Sequence, residues 1–197
     1  MKLSPSLLAP ATLAAALVLS PTTATAEPAS YTIDDEHFSI SFQVMHLGYA
    51  NVIGMFTEAE GSFEYDSESN DISAGTVTIQ ADSIFTNHDR RDSHLRGEDF
   101  LNTDEYPEIV FTVGDFETTG DNTGKLSGDL EMHGETKPVT LDVTFNKAAE
   151  YPFGHEKYTV GISAETTIKR SEWGISYGLN MVEDDIKLQF ELEAIKD

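Results

Sequence analysis

Residues 186–194 read Ile-Lys-Leu-Gln-Phe-Glu-Leu-Glu-Ala, a strict alternation of apolar and polar side chains. In extended backbone, successive side chains point to opposite faces, so this segment makes a strand with one greasy face. Versions of the pattern recur along most of the chain, while helical periodicity is almost absent. A sheet of many such strands has to cover its apolar face and avoid long bare edges, and one chain does both by closing on itself. The expectation is an all-β, eight-stranded antiparallel β-barrel whose function lies inside it.

The strands can be counted from the pattern. After a lead over 31–34, Phe38, Ile40, Phe42 and Val44 alternate with Ser39, Ser41, Gln43 and Met45. A second run covers 52–65, with Gly54 and Gly61 as expected corners or close approaches. Turn residues over 66–71 lead to a third strand near 72–81. Residues 86–101 break the alternation and predict a short helix plus loops. Ile109, Phe111 and Val113 resume it as far as the turn at Thr119-Gly-Asp-Asn-Thr-Gly. Leu126, Leu130 and Met132, then Val139, Leu141, Val143 and Phe145, form two strands joined at His133-Gly134-Glu135. A loop over 151–155 precedes the strand from Tyr158 to Ile168, and the segment at 186 closes the chain. The count is close to eight, the number at which a barrel can hold one small ligand.

Residues 1–26 have the form of a secretory signal peptide. Lys2 is followed by an apolar stretch over 7–19 and by Ala24-Thr25-Ala26 before Glu27. Residues 27–197 then form one domain, expected in the periplasm or secreted. The chain has no cysteine, so neither a disulfide framework nor a lipid-modified cysteine is available. The net charge of −23 becomes −24 once Lys2, the only charged residue of the leader, is removed. Nucleic acid and anionic membranes are poor partners for such a surface. The acidity suits a protein bathed in high salt, where a Debye length of roughly 3 Å near 1 M screens self-repulsion.

Chemistry-bearing residues are few. Arg90, Arg91 and Arg96 are three of the four arginines. They either grip a polar head group at a pocket mouth or pair with Asp89, Asp92, Glu98 and Asp99 and pin the helix to the barrel. Six histidines are scattered at 37, 46, 88, 94, 133 and 155. None stands at the i, i+4 spacing of a helical zinc pair and there is no thiol, so structural histidines and no metal are expected. There is no Gly-x-Ser-x-Gly elbow, no Cys-His arrangement and no Gly-x-Gly-x-x-Gly stretch after a strand. With 35 acids, paired carboxylates carry no information. Trp173 either caps the barrel, stacks on Arg170 or belongs to the core.

In order along the chain stand Asp34-x-x-His37-Phe-Ser-Ile-x-Phe42-x-Val44-x-His46, Val52-x-Gly54-x-Phe56 and Ala81-x-Ser83-x-x-Thr86. Arg91-Asp92-x-His94-Leu95 through Asp99-Phe100, Tyr106-Pro107-x-Ile109-x-Phe111, Gly128-x-Leu130-x-x-His133-Gly134-x-Thr136-Lys137 and Ile168-x-Arg170 through Trp173-Gly174 follow. Together they resemble the YceI-like family of exported, lipocalin-like proteins. Leu101 and Trp173 stand where that family commonly has phenylalanine. The resemblance implies an antiparallel barrel with an elongated hydrophobic cavity for a polyisoprenoid chain, such as that of a quinone or prenyl diphosphate, and a homodimer. Some relatives accept fatty-acid derivatives or amides.

On that reading Phe42, Val44, Phe56, Phe111, Val113 and Phe190 line the cavity, and Arg91, His94 and Arg170 lie at its mouth, contacting the head group or anchoring the helix. The ligand is a long-chain lipid, with no other cofactor and no catalytic residue. Two readings compete with the carrier. One is a lipid-modifying enzyme using His94 with Asp92; the other is an interaction protein whose barrel is packed solid.

Overall fold

The alternating segments pair into an up-and-down ring in the computed structural model, which describes residues 28–197. The leader read at 1–26 lies outside the described residues. The strands are β1 (Ala29–His46), β2 (Ala50–Phe56), β3 (Ala59–Asp66), β4 (Asp71–Gln80), β5 (Ile84–Phe85), β6 (Glu108–Thr118), β7 (Thr123–Met132), β8 (Glu135–Glu150), β9 (Tyr158–Lys169) and β10 (Asp185–Lys196). A single α-helix among the described residues, α1 (Asp89–Arg96), interrupts them where the alternation fails. The closed antiparallel ring contains eight strands, in the order β1, β3, β4, β6, β7, β8, β9 and β10, with β10 returning to β1.

The two additional strands are continuations. β2 and β3 are the run expected over 52–65, split at Thr57-Glu58, and both lie antiparallel to β1. β5 likewise extends the line of β4 and pairs with β2. Gly54 and Gly61 are close approaches rather than the break itself. A Cβ on Gly54 would lie 2.3 Å from the Phe42 ring, and one on Gly61 would lie 2.6 Å from the Thr76 carbonyl. His133 and Gly134, with φ of 52° and 76°, make the two-residue turn between β7 and β8, a connection that requires left-handed backbone at both positions.

The ring has two different ends. The β3–β4, β6–β7 and β8–β9 turns and the carboxyl terminus gather at one. The other, the helix end, carries α1, the β1–β2 turn and the β9–β10 loop over residues 170–184. No helix among the described residues is long and apolar enough to cross a membrane.

Candidate functional site: an apolar barrel cavity

Inward side chains from all eight ring strands leave a void of about 200 Å³ instead of meeting at the axis. All six residues expected to line it do so: Phe42, Val44, Phe56, Phe111, Val113 and Phe190. Phe42, Val44, Phe56 and Phe111 are buried, whereas Val113 and Phe190 remain partly accessible. Among the lining residues only Thr166 and Arg170 carry a polar side chain.

An aromatic cluster closes the end opposite the helix. Tyr31 packs edge-on to Tyr65 with ring centroids 5.4 Å apart, Tyr65 lies 5.4 Å from Phe145, and Phe145 lies 5.7 Å from Phe116. Tyr31 and Tyr65 are 2% and 1% exposed. Tyr65 donates its hydroxyl to Asn70 Oδ1 at 2.7 Å, and burial pushes its pKa up to about 12.

At the helix end Leu95, Phe100 and Leu101 reach over the void. Phe100 makes an aromatic trio with His94 (5.0 Å) and Tyr177 (5.4 Å), joining the α1 segment to the β9–β10 loop. Sequence reasoning missed this cover. The apolar Phe100-Leu101 pair ending an otherwise polar segment was the signal for it.

The structure changes the reading of the expected mouth residues. Arg170 borders the cavity, but it is 4% exposed and most of its donors are used. Nε donates to the Glu183 carbonyl, Nη1 to those of Ile175 and Tyr177, and Nη2 to that of Val182, all within 2.8–3.0 Å. The irregular 170–184 loop has carbonyls without ladder partners, and one guanidinium gathers four of them. Burial lowers the Arg170 pKa, and the Asp184 charge works against that shift.

Arg91 and His94 are not among the residues that line the void; the structure places both in the α1 segment at the helix end. Arg91 is exposed, with Nε donating to Thr86 Oγ1 at 2.7 Å and Nη2 to the Thr86 carbonyl at 2.6 Å. His94 is exposed and pairs with Asp99 at 3.0 Å.

Carboxylate pairing of the arginines is corrected too. Among the described residues no ion pair joins Arg90, Arg91 or Arg96 to the neighbouring acids. Arg96 instead donates to the carbonyls of Asp82 and Ile84. Buried Asp92 accepts from the Thr86 backbone N–H at 2.9 Å and from the Thr86 hydroxyl. These side chains satisfy backbone groups that the break in the sheet would otherwise strand. Trp173 is a core residue of the helix end, donating Nε1–H to the Leu130 carbonyl at 3.1 Å, while Arg170 lies over Phe100 at 6.0 Å.

A YceI-like domain model matches residues 31–194, nearly the whole barrel. The chain belongs to the YceI-like family. A UPF0312 protein of Pseudomonas putida strain F1 is 36% identical over 170 residues, covering 85% of this chain and 87% of that protein. The crystal structure of the Campylobacter jejuni YceI protein superposes with a TM-score of 0.70 at 30% identity, over 78% of this chain and 90% of that one. A polyisoprenoid binding domain from Saccharophagus degradans shares the fold, with a TM-score of 0.66 at 13% identity, over 87% of this chain and all of that domain. Several residues in the YceI-like motifs are therefore structural here. Arg91, Arg170 and His133, which bonds the Trp173 carbonyl at 3.0 Å, hold the helix end together.

Proposed function

We propose that this YceI-like chain is a periplasmic binding protein, not an enzyme, that holds a polyisoprenoid chain in its barrel for transport, storage or sensing. The observation that carries the reading is a void walled by apolar side chains from every ring strand. Even an apolar cavity of roughly 150 Å³ takes up benzene, and this one, at about 200 Å³, is larger. The solved domain described as polyisoprenoid binding supports the same reading. Each five-carbon unit moved from water into such a wall gains up to about 4 kcal/mol, at roughly 0.8 per carbon. Association entropy and ordering of the chain consume much of the total.

The tail occupies the space between Phe42, Val44, Phe56, Phe111, Val113 and Phe190. The head stops at the helix end, near Arg170, with Arg91 and His94 on the outer collar. Arg170 has most of its donors committed to carbonyls, so the head meets a weak grip, and a net charge of −23 repels an anion. A neutral quinone-like or alcohol head fits this better than a diphosphate at low salt. The homodimer implied by the family resemblance is part of the proposal, and sedimentation of the purified protein tests it.

The main test is a binding titration with a prenyl alcohol, its diphosphate and a fatty-acid amide at low and high salt. Ala164→Trp, placed to fill the void from β9, should abolish uptake while the protein stays folded. A diphosphate preferred at low salt would overturn the neutral-head assignment, and preference for the amide would overturn the polyisoprenoid. Uptake undiminished in Ala164→Trp would remove the cavity as the site.

A further inference from the structure

The ladder that closes the ring is interrupted once. β1 and β10 pair at Ile33 with Ala194 and again at Phe38 with Leu192, so Glu193 alone faces four residues, Asp34 to His37. The extra residues bow out of the sheet as a bulge. Ile33, Phe38 and Leu192 border the cavity, while Glu193, between inward Leu192 and Ala194, faces outward. The bulge therefore lies on the outer wall.

Three possible ligand groups converge there. Ligand atoms of Asp34, His37 and Glu193 all lie within 4.8 Å of one another. Asp34 Oδ2 is 2.8 Å from His37 Nδ1, and Asp34 Oδ1 accepts the Glu36 backbone N–H at 3.0 Å, which orients the carboxylate. Glu193 Oε2 is sealed from solvent and meets no donor in hydrogen-bonding geometry, although the Tyr151 hydroxyl approaches the same carboxylate, whose charge helps raise the tyrosine pKa. A shielded carboxylate oxygen without a donor is costly unless a cation or proton completes it. The β8–β9 loop brings a second imidazole toward this side of the sheet. His155 packs on Tyr151 at 4.6 Å, and Tyr151 lies 6.4 Å from His37.

We propose that Asp34, His37 and Glu193 bind one divalent transition ion of the Zn²⁺ type, which staples the barrel at its closing seam. Imidazole with carboxylates is a borderline nitrogen and oxygen set, which suits Zn²⁺ or its neighbours better than Ca²⁺ or Mg²⁺. Bond lengths of about 2.0–2.2 Å require these atoms to draw together from their present spread. Exposed His37, on an unpaired bulge, has the freedom to do so. The ion takes the place of the proton shared by Asp34 and His37 and supplies a partner for the shielded Glu193 Oε2. The histidine spacing in the sequence gives no hint of such a site, because Glu193 comes from the other end of the chain.

The test is Zn²⁺ titration of the tag-free, metal-stripped protein by calorimetry, with thermal unfolding read in parallel. The expected result is one ion per chain, a raised Tm, and an affinity about 100-fold weaker in both His37→Ala and Glu193→Gln. His88→Ala, far from the seam, should bind normally. Co²⁺ should give a visible spectrum that Glu193→Gln alters, which reports ligation even if a variant is less stable. Absence of binding, or binding that both variants leave intact, would overturn the site. Lipid uptake is scored separately, so failure here leaves the cavity reading standing.

Discussion

The two ends of the barrel solve closure in different ways. Opposite the helix, large rings fill the bore, with Tyr31, Tyr65, Phe116 and Phe145 touching in sequence and the two tyrosines almost fully buried. At the helix end an irregular cover lies over the void, held by arginine bonds to backbone carbonyls and by the Phe100, His94 and Tyr177 trio. Most of the exposed large apolar residues surround that cover, including Leu47, Tyr49, Phe85, Tyr177 and Met181. One end is a plug of rings and the other an irregular cover, so the helix end is the expected route of exchange with the cavity.

Arg170→Ala should break the comparison most severely. It strands four carbonyls, and a loss of about 3–5 kcal/mol is expected in urea unfolding. A loss below about 1 kcal/mol would show that the loop holds without it.

The plug should announce itself at alkaline pH. The Tyr65 pKa is near 12 in the folded protein against 10.0 for an ordinary tyrosine. Between those values the unfolded chain releases this proton and the folded one keeps it, so stability falls as pH rises. The expected cost is about 2–3 kcal/mol. Tyr65→Phe should remove that part of the alkaline loss while costing about 1 kcal/mol at neutral pH for its hydrogen bond. Parallel alkaline curves for the two proteins would contradict the assignment.

Phe100→Ala should loosen the cover and speed lipid release roughly tenfold, since the trio and its burial supply about 1.5 kcal/mol. The matching change at the plug, Phe116→Ala, should lower stability with little effect on release. Equal acceleration by both would erase the distinction between the ends. Arg91→Ala gives the smallest effect, about 1 kcal/mol of stability with retention nearly unchanged, because its guanidinium serves Thr86.

Much of this was legible in the alternation. The ring strands, the polar break at 86–101 and the His133-Gly134 turn follow from side-chain period and turn chemistry, and Phe42 and Phe190 face inward as their registers require. The roles of the arginines were not legible. Their partners are main-chain carbonyls, which every residue carries, so the acids beside them in sequence were the wrong place to look. The seam bulge was equally hidden. Asp34-x-x-His37 stands in the sequence as the opening of the family motif, but nothing in its spacing points to Glu193, which looks like any outward residue of β10 until pairing sets it opposite them.

The central claim is that the barrel holds a lipid chain, and mass spectrometry of the purified protein under non-denaturing conditions tests it most directly. The account predicts an added mass matching one intact long-chain lipid, absent from Ala164→Trp. Protein that emerges bare and stays bare after incubation with a polyprenol or quinone would contradict it.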